Sequence, residues 1–294
     1  MKSILRSALF ACVTSAPALA VAQPAAPSID SLIARHIEAR GGAAAMKAIS
    51  NVEMTGVMRP GGFDADFGYR EVIARPGSVR IEATLQGMTP IEAYDGRSGW
   101  QVQPFQGRKD PEALSSDDVK SLQEEADFED ALVDYKAKGS AVDDLGEVDV
   151  DGGPTWALRV NLKNGDQETF YLDPDSFLTV RVVTRQVVRG AETLNETDFG
   201  DYEKVNGVYF PFEVDSGPKG STVLQRVTYN AIKANVPLDP AIFEEPRPGP
   251  GRPVQQSVTP TQPEDASVPP GPKKPGVPAP GAPAVEPAGT PPRS

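Results

Sequence analysis

The chain has one cysteine, one histidine and two tryptophans among 294 residues, and each scarcity closes off a class of chemistry. A single cysteine, Cys12, allows neither an intrachain disulfide nor a thiolate metal site. A single histidine, His36, cannot build a multi-histidine metal centre, and a serine triad would have to use it or lack a base. The patterns G-x-S-x-G, G-x-x-x-x-G-K-[ST] and H-E-x-x-H are all missing. Basic residues are also short: 29 Lys and Arg stand against 41 Asp and Glu, for a net charge of −12. An acidic body without a basic patch repels nucleic acid and anionic membrane surfaces, so no nucleic-acid partner is expected. No later stretch reaches the roughly 20 apolar residues of a membrane-spanning helix.

What is present begins with a leader. Met1-Lys2-Ser3-Ile4-Leu5-Arg6 carries two positive charges and no acid. Residues 7–20 carry no charge, and Ala18-Leu19-Ala20-Val21-Ala22 offers two small-x-small cleavage sites. This three-part pattern predicts a secretory signal peptide over residues 1–22, cut after Ala22 or, second, after Ala20, and hence a periplasmic protein. Leu9-Phe10-Ala11-Cys12 falls short of a lipobox, because Phe10 is bulky and Arg6 leaves almost no apolar run before the cysteine. Cys12 then leaves with the leader. At the other end, residues 246–294 hold 16 of the 30 prolines and no aromatic residue. Such a segment cannot bury enough apolar surface to offset its ordering entropy. A disordered, partly polyproline-II tail is expected, plain disorder first and, as functional alternatives, a spacer or a ligand for an envelope protein with an aromatic groove. Residues 23–245 remain as one domain.

That domain opens with a helix. Ser28 can cap it, Asp30 suits its positive end, and Ile29, Leu32, Ile33 and Ile37 share a face before Gly41-Gly42 ends it. The period then changes to two. Val52, Met54 and Met58 point one way; Phe67, Tyr69 and Ile73 share a face; Val79, Ile81, Ala83 and Leu85 alternate with polar residues. So do Trp156, Leu158, Val160 and Leu162, and later Val208, Phe210, Phe212 and Val214. This is antiparallel sheet, apolar on one side. Asp95-Gly96, Asn164-Gly165, Asp173-Pro174 and Asn206-Gly207 mark the turns. A second helix is expected from Ser115 to Gly139, with Val119, Leu122, Ala126, Leu132 and Val133 on its apolar side. The order is helix, about five strands, helix, about six strands.

The segments Ser31-Leu32-Ile33-Ala34-Arg35-His36-Ile37-Glu38-Ala39-Arg40-Gly41-Gly42, Tyr94-Asp95-Gly96-Arg97-Ser98-Gly99-Trp100, Tyr171-Leu172-Asp173-Pro174 and Asn206-Gly207-Val208-Tyr209-Phe210-Pro211-Phe212 resemble, in order and spacing, those of LolA-like outer-membrane lipoprotein-sorting proteins. The resemblance runs from about Ser28 to Asn235. It implies a mainly β fold: an antiparallel sheet of about eleven strands, curved into an open half-barrel with helices over the open side. In the best-known members the concave face holds the acyl chains of lipoproteins.

The residues point the same way. A sheet with one apolar face must be covered, closed on itself, or left with a groove. Two helices are short cover for so many strands. A groove lined by Met54, Met58, Phe67, Ile81, Trp100 or Trp156 would suit a lipid or lipoprotein acyl chain, and Met lining adapts to varied shapes. The plainer alternative for each of these side chains is core packing. Two other functions stay open. One is an envelope sensor or scaffold of the same fold that binds protein through its acidic surface and tail. The other is a hydrolase using acid pairs such as Asp64/Asp66 or Glu92/Asp95. His36, beside an apolar stripe, is read as structural, and Asp143, Asp144, Glu147, Asp149 and Asp151 as a solvated acidic edge strand rather than a calcium loop. No enzyme, no cofactor and no metal is expected.

Overall fold

The structure is a computed structural model that describes residues 27–246. The expected signal peptide, Cys12 and the tail beyond Pro246 lie outside the described residues.

The first helix, α1 (Ile29–Ala39), starts where the Ser28 hydroxyl accepts the Ser31 N–H at 3.3 Å, satisfying one of the free donors of the first turn. It buries Leu32, Ile33 and His36. A short α2 (Ala43–Lys47) follows. Gly41, at φ 118°, makes this turn possible: a Cβ there would lie 2.1 Å from the Gly207 carbonyl oxygen. Beside this contact the Tyr209 N–H donates to the Arg40 carbonyl at 2.8 Å. The Gly41-Gly42 and Asn206-Gly207 signals, far apart in sequence, are therefore two sides of one junction.

Six strands come next: β1 (Asn51–Arg59), β2 (Phe67–Ala74), β3 (Ser78–Thr84), β4 (Ile91–Tyr94), β5 (Gly99–Gln103) and β6 (Arg108–Ala113). Helices α3 (Ser116–Glu125) and α4 (Tyr135–Lys138) interrupt, and seven strands complete the sheet. These are β7 (Ala141–Val150), β8 (Gly153–Asn161), β9 (Gln167–Leu172), β10 (Thr179–Val188), β11 (Ala191–Val205), β12 (Val208–Pro218) and β13 (Gln225–Ala234). All pair antiparallel in one thirteen-stranded sheet, ordered β6-β5-β4-β3-β2-β1-β13-β12-β11-β10-β9-β8-β7. The two meanders join where β13 pairs with β1, Val52 opposite Ala234. The order runs from β6 to β7 without closing, so the fold is an open, mainly β half-barrel.

Two expectations need correction. The sheet has thirteen strands rather than about eleven, because β6 and β11 carry few apolar residues and show no alternation. The second helix does not run from Ser115 to Gly139. It ends at Glu125, and residues 126–134 form an irregular loop in which Asp130 and Asp134 adopt positive φ of 69° and 52°. The loop is held by tertiary contacts described below. By contrast, β7 lies at the sheet edge with its acids exposed.

Two apolar clusters fill the concave side. One joins Met46, Ile49, Val52, Met54, Ile73 and Tyr94 to Leu122 of α3. The other joins Leu32 and Ile33 of α1 to Leu158, Val160, Phe170 and Leu172. Between them the sheet is not covered.

Candidate ligand groove

The uncovered part of the concave face forms a cavity of about 920 Å³, within the range of sites that hold small molecules. Its walls come from β1 to β4 and β9 to β13, and its lid side from α3 and residues 126–134. Apolar side chains alternate inward on β1, where Val52, Met54 and Met58 line it, while β10 and β11 add polar residues such as Thr184, Gln186, Asn195 and Thr197. Phe170, Phe199 and Phe210 supply aromatic surface from β9, β11 and β12.

Of the six residues expected to line a groove, Met54, Met58 and Ile81 line this one. Met54 is also buried in the first cluster. The other three do not line it. Phe67, paired with Met58 across β1 and β2, ends at the rim. There its ring lies 6.0 Å from those of Phe63 and Phe105, which are 52% and 43% exposed. Trp100 lies on the convex face: its indole N–H donates to the Phe243 carbonyl at 2.8 Å, and the Arg80 guanidinium sits 5.4 Å from its ring centre. Trp156 has the concave orientation but packs into the α1 cluster. Of the acid pairs, Glu92 lines the cavity, whereas Asp66 is bound by Arg59 and Asp95 caps its own turn through the Arg97 and Ser98 N–H groups.

The loop at residues 126–134 is fastened by α1. His36 is fully buried; its Nδ1 lies 2.9 Å from the Phe177 carbonyl and its Nε2 2.9 Å from the Asp130 carboxylate. Arg40 donates to Asp130 at 2.7 Å and to the Phe128 and Glu129 carbonyls. Burial alone would raise the Asp130 carboxyl, but the charge and hydrogen bond of His36, with Arg40, hold it well below the usual carboxylate range. Arg75 adds a 2.8 Å bond to Glu129 and stacks 4.9 Å above the Phe128 ring. His36 is thus a structural fastener of the cavity wall.

Other carboxyl groups in the groove behave in the opposite way. Burial pushes Glu168 up to about 8, helped by the charge of Glu124. It pushes Glu124 up to about 7, although Asn164 and Gln186 each donate to its oxygens at 2.7 Å. Glu71 is raised well above its ordinary value, first by burial and then by Glu125. Glu71 was missed from sequence. The signal was there: it interrupts the inward-facing series Phe67, Tyr69, Ile73 with an acid.

The fold and the groove together define a class: open β half-barrels with a concave face available to a ligand. Solved structures of this class are similar to the chain. A domain named for outer membrane lipoprotein sorting, from Vibrio parahaemolyticus, superposes with a TM-score of 0.50 over 74% of this chain and 97% of its own, at 10% identity. A LolA superfamily protein from Nitrosomonas europaea does so with a TM-score of 0.50 over 74% and 98%, at 12% identity. No protein-family model matches the sequence, and no curated protein matches it. The fold is LolA-like.

Proposed function

We propose that this chain is a periplasmic binding or carrier protein that holds an apolar ligand, such as a lipid or the acyl chain of a lipoprotein, in the concave groove. The observation that carries this reading is the space of about 920 Å³ on the concave face, lined in part by inward-facing Met, Ile, Val and Phe side chains. Apolar surface left open to water is unfavourable, and each methylene seated against it gains roughly 0.8 kcal/mol. An acyl chain of about ten methylenes therefore gains about 8 kcal/mol before the entropy of association is subtracted, enough for useful affinity. The similarity to a domain named for outer membrane lipoprotein sorting supports the same reading.

The test has two arms. Native mass spectrometry of protein purified from the periplasm should reveal a bound lipid. Purified protein should also enhance the fluorescence of the neutral probe N-phenylnaphthylamine, and long-chain alcohols should displace it. Absence of both a co-purified lipid and any probe binding would overturn the reading.

A further inference from the structure

Charge is sorted between the two faces of the sheet. The strand arginines Arg70, Arg159, Arg181 and Arg226 alternate away from the groove and are matched by carboxylates, such as Glu53, Asp143, Asp198 and Asp215. Among the described residues no Lys or Arg on a strand lines the cavity, whereas the strand residues Glu71, Glu92 and Glu168 do. Of the lining cations outside the strands, Arg40 is committed to Asp130 and Lys138 to Asp127, and Lys163 lies on the β8–β9 turn rather than on the strands that carry Glu71 and its two tyrosines.

Glu71 is the most demanding of these acids. Its side chain is 1% exposed. Its Oε2 accepts the Tyr69 hydroxyl at 3.1 Å and the Tyr229 hydroxyl at 3.0 Å. Its Oε1 is buried with no hydrogen-bond partner among the described residues. The neighbour in the site is another acid, Glu125, on the last turn of α3, which raises Glu71 both by its like charge and by a side-chain hydrogen bond that only a protonated carboxyl can supply. A buried carboxyl without a donor on one oxygen and with a like charge beside it is unfavourable. The missing element is a positive charge. Both tyrosines also line the cavity, with ring centres 6.0 Å apart, and aromatic rings beside a carboxylate suit an ammonium group. Among the described residues no group of three or more His, Cys, Asp or Glu is arranged to hold a metal ion, so an organic cation fits better.

Resting on the apolar-ligand reading above, we infer that the ligand is a cationic amphiphile: its chain lies in the groove and its protonated amine sits against Glu71 between Tyr69 and Tyr229. A ligand with a phosphate or carboxylate head is disfavoured at this position. Seating the ammonium drives the carboxyl proton into solvent, so binding strengthens as pH rises.

Matched twelve-carbon amphiphiles, used below micelle formation as competitors of N-phenylnaphthylamine, test this. Dodecylammonium should bind about tenfold or more tighter than laurate or dodecanol, the gain of a charge-assisted hydrogen bond. Its affinity should rise with pH above the ordinary carboxylate range, as the raised Glu71 carboxyl loses its proton. Glu71→Gln should abolish the preference of the ammonium over dodecanol and laurate. Equal or tighter binding of laurate would overturn the inference, as would a Glu71→Gln protein that keeps the ammonium preference. Should the variant fold poorly, the head-group order and pH dependence of the wild-type protein decide alone. Failure of dodecanol and of the probe itself to bind would instead bring down the apolar-ligand reading, so the two failures are distinguishable.

Discussion

Replacing Asp130 by Asn should destabilise the domain by about 3 kcal/mol. The carboxylate receives His36 at 2.9 Å, Arg40 at 2.7 Å and the Leu132 N–H at 2.9 Å. Removing one partner of a buried ion pair costs about 3–5 kcal/mol, because the other charge stays buried. The Asp130 side chain is 18% exposed and Arg40 10%, which argues for the lower end. For a domain of this size each kcal/mol moves the midpoint by about 2–4 °C, so thermal unfolding should fall by about 6–12 °C. The pH dependence gives a second readout. The folded pKa of Asp130 lies below its unfolded value. Its stabilisation is therefore present above the ordinary carboxylate pKa near 4 and is lost as pH falls from there. Urea unfolding at several pH values would show wild-type stability dropping in acid, with a shallower drop in Asp130→Asn. A variant within about 1 kcal/mol of wild type, with an unchanged acid limb, would refute the fastening argument.

Four further changes probe other parts of the molecule. Ala83→Trp places a large ring in the cavity that Ala83 lines, and should abolish N-phenylnaphthylamine binding while leaving the unfolding midpoint within a few degrees. Trp100→Phe removes the 2.8 Å bond to Phe243 on the convex face and should cost about 1–2 kcal/mol in urea unfolding without changing probe binding. Gly41→Ala meets the Gly207 carbonyl at 2.1 Å with φ at 118°, so a loss well above 1 kcal/mol is expected in the same assay. Glu168, pushed up to about 8, binds a proton in the folded state that the unfolded chain has already released. Wild-type stability should therefore fall as pH rises from about 4.5 to about 8, and Glu168→Gln should flatten that decline in a pH series of thermal midpoints.

The elements most legible in the sequence are those whose side chains obey one period. The α1 stripe of Leu32 and Ile33 is buried as its spacing requires, and Val52, Met54 and Met58 line the groove because β1 alternates cleanly. Illegibility arises where a distant contact decides. The helix expected through residue 139 breaks because Asp130 turns inward to His36 and Arg40, which lie about ninety residues earlier. On β5 the usual reading is reversed. Gln101 faces Glu92 across the ladder on the groove side, while Trp100 goes to the convex face under Phe243. Only the carboxy-terminal segment, arriving from 143 positions away, makes that face apolar. Trp156 has the expected orientation, but α1 occupies the space in front of it. In both cases alternation alone could not say what would cover the residue.

The two edge strands are marked by charge rather than by apolar alternation, and the reason connects to the groove. Closing the barrel would require β6 to pair with β7, and both resist it. Pro111 in β6 has no N–H to give, and Arg108 is turned along its own strand to Glu112. Asp143, Asp144, Glu147 and Asp149 fill β7 with like charge, and among the described residues only Asp143 of these pairs with a strand cation, Arg159. An apolar, regularly alternating edge would have been easy to recognise and would also have invited closure or pairing with a second molecule. The charged, irregular edges keep the sheet open, and an open sheet leaves the concave face accessible. The same charged residues that mark the edges therefore help preserve the space in which a ligand can sit.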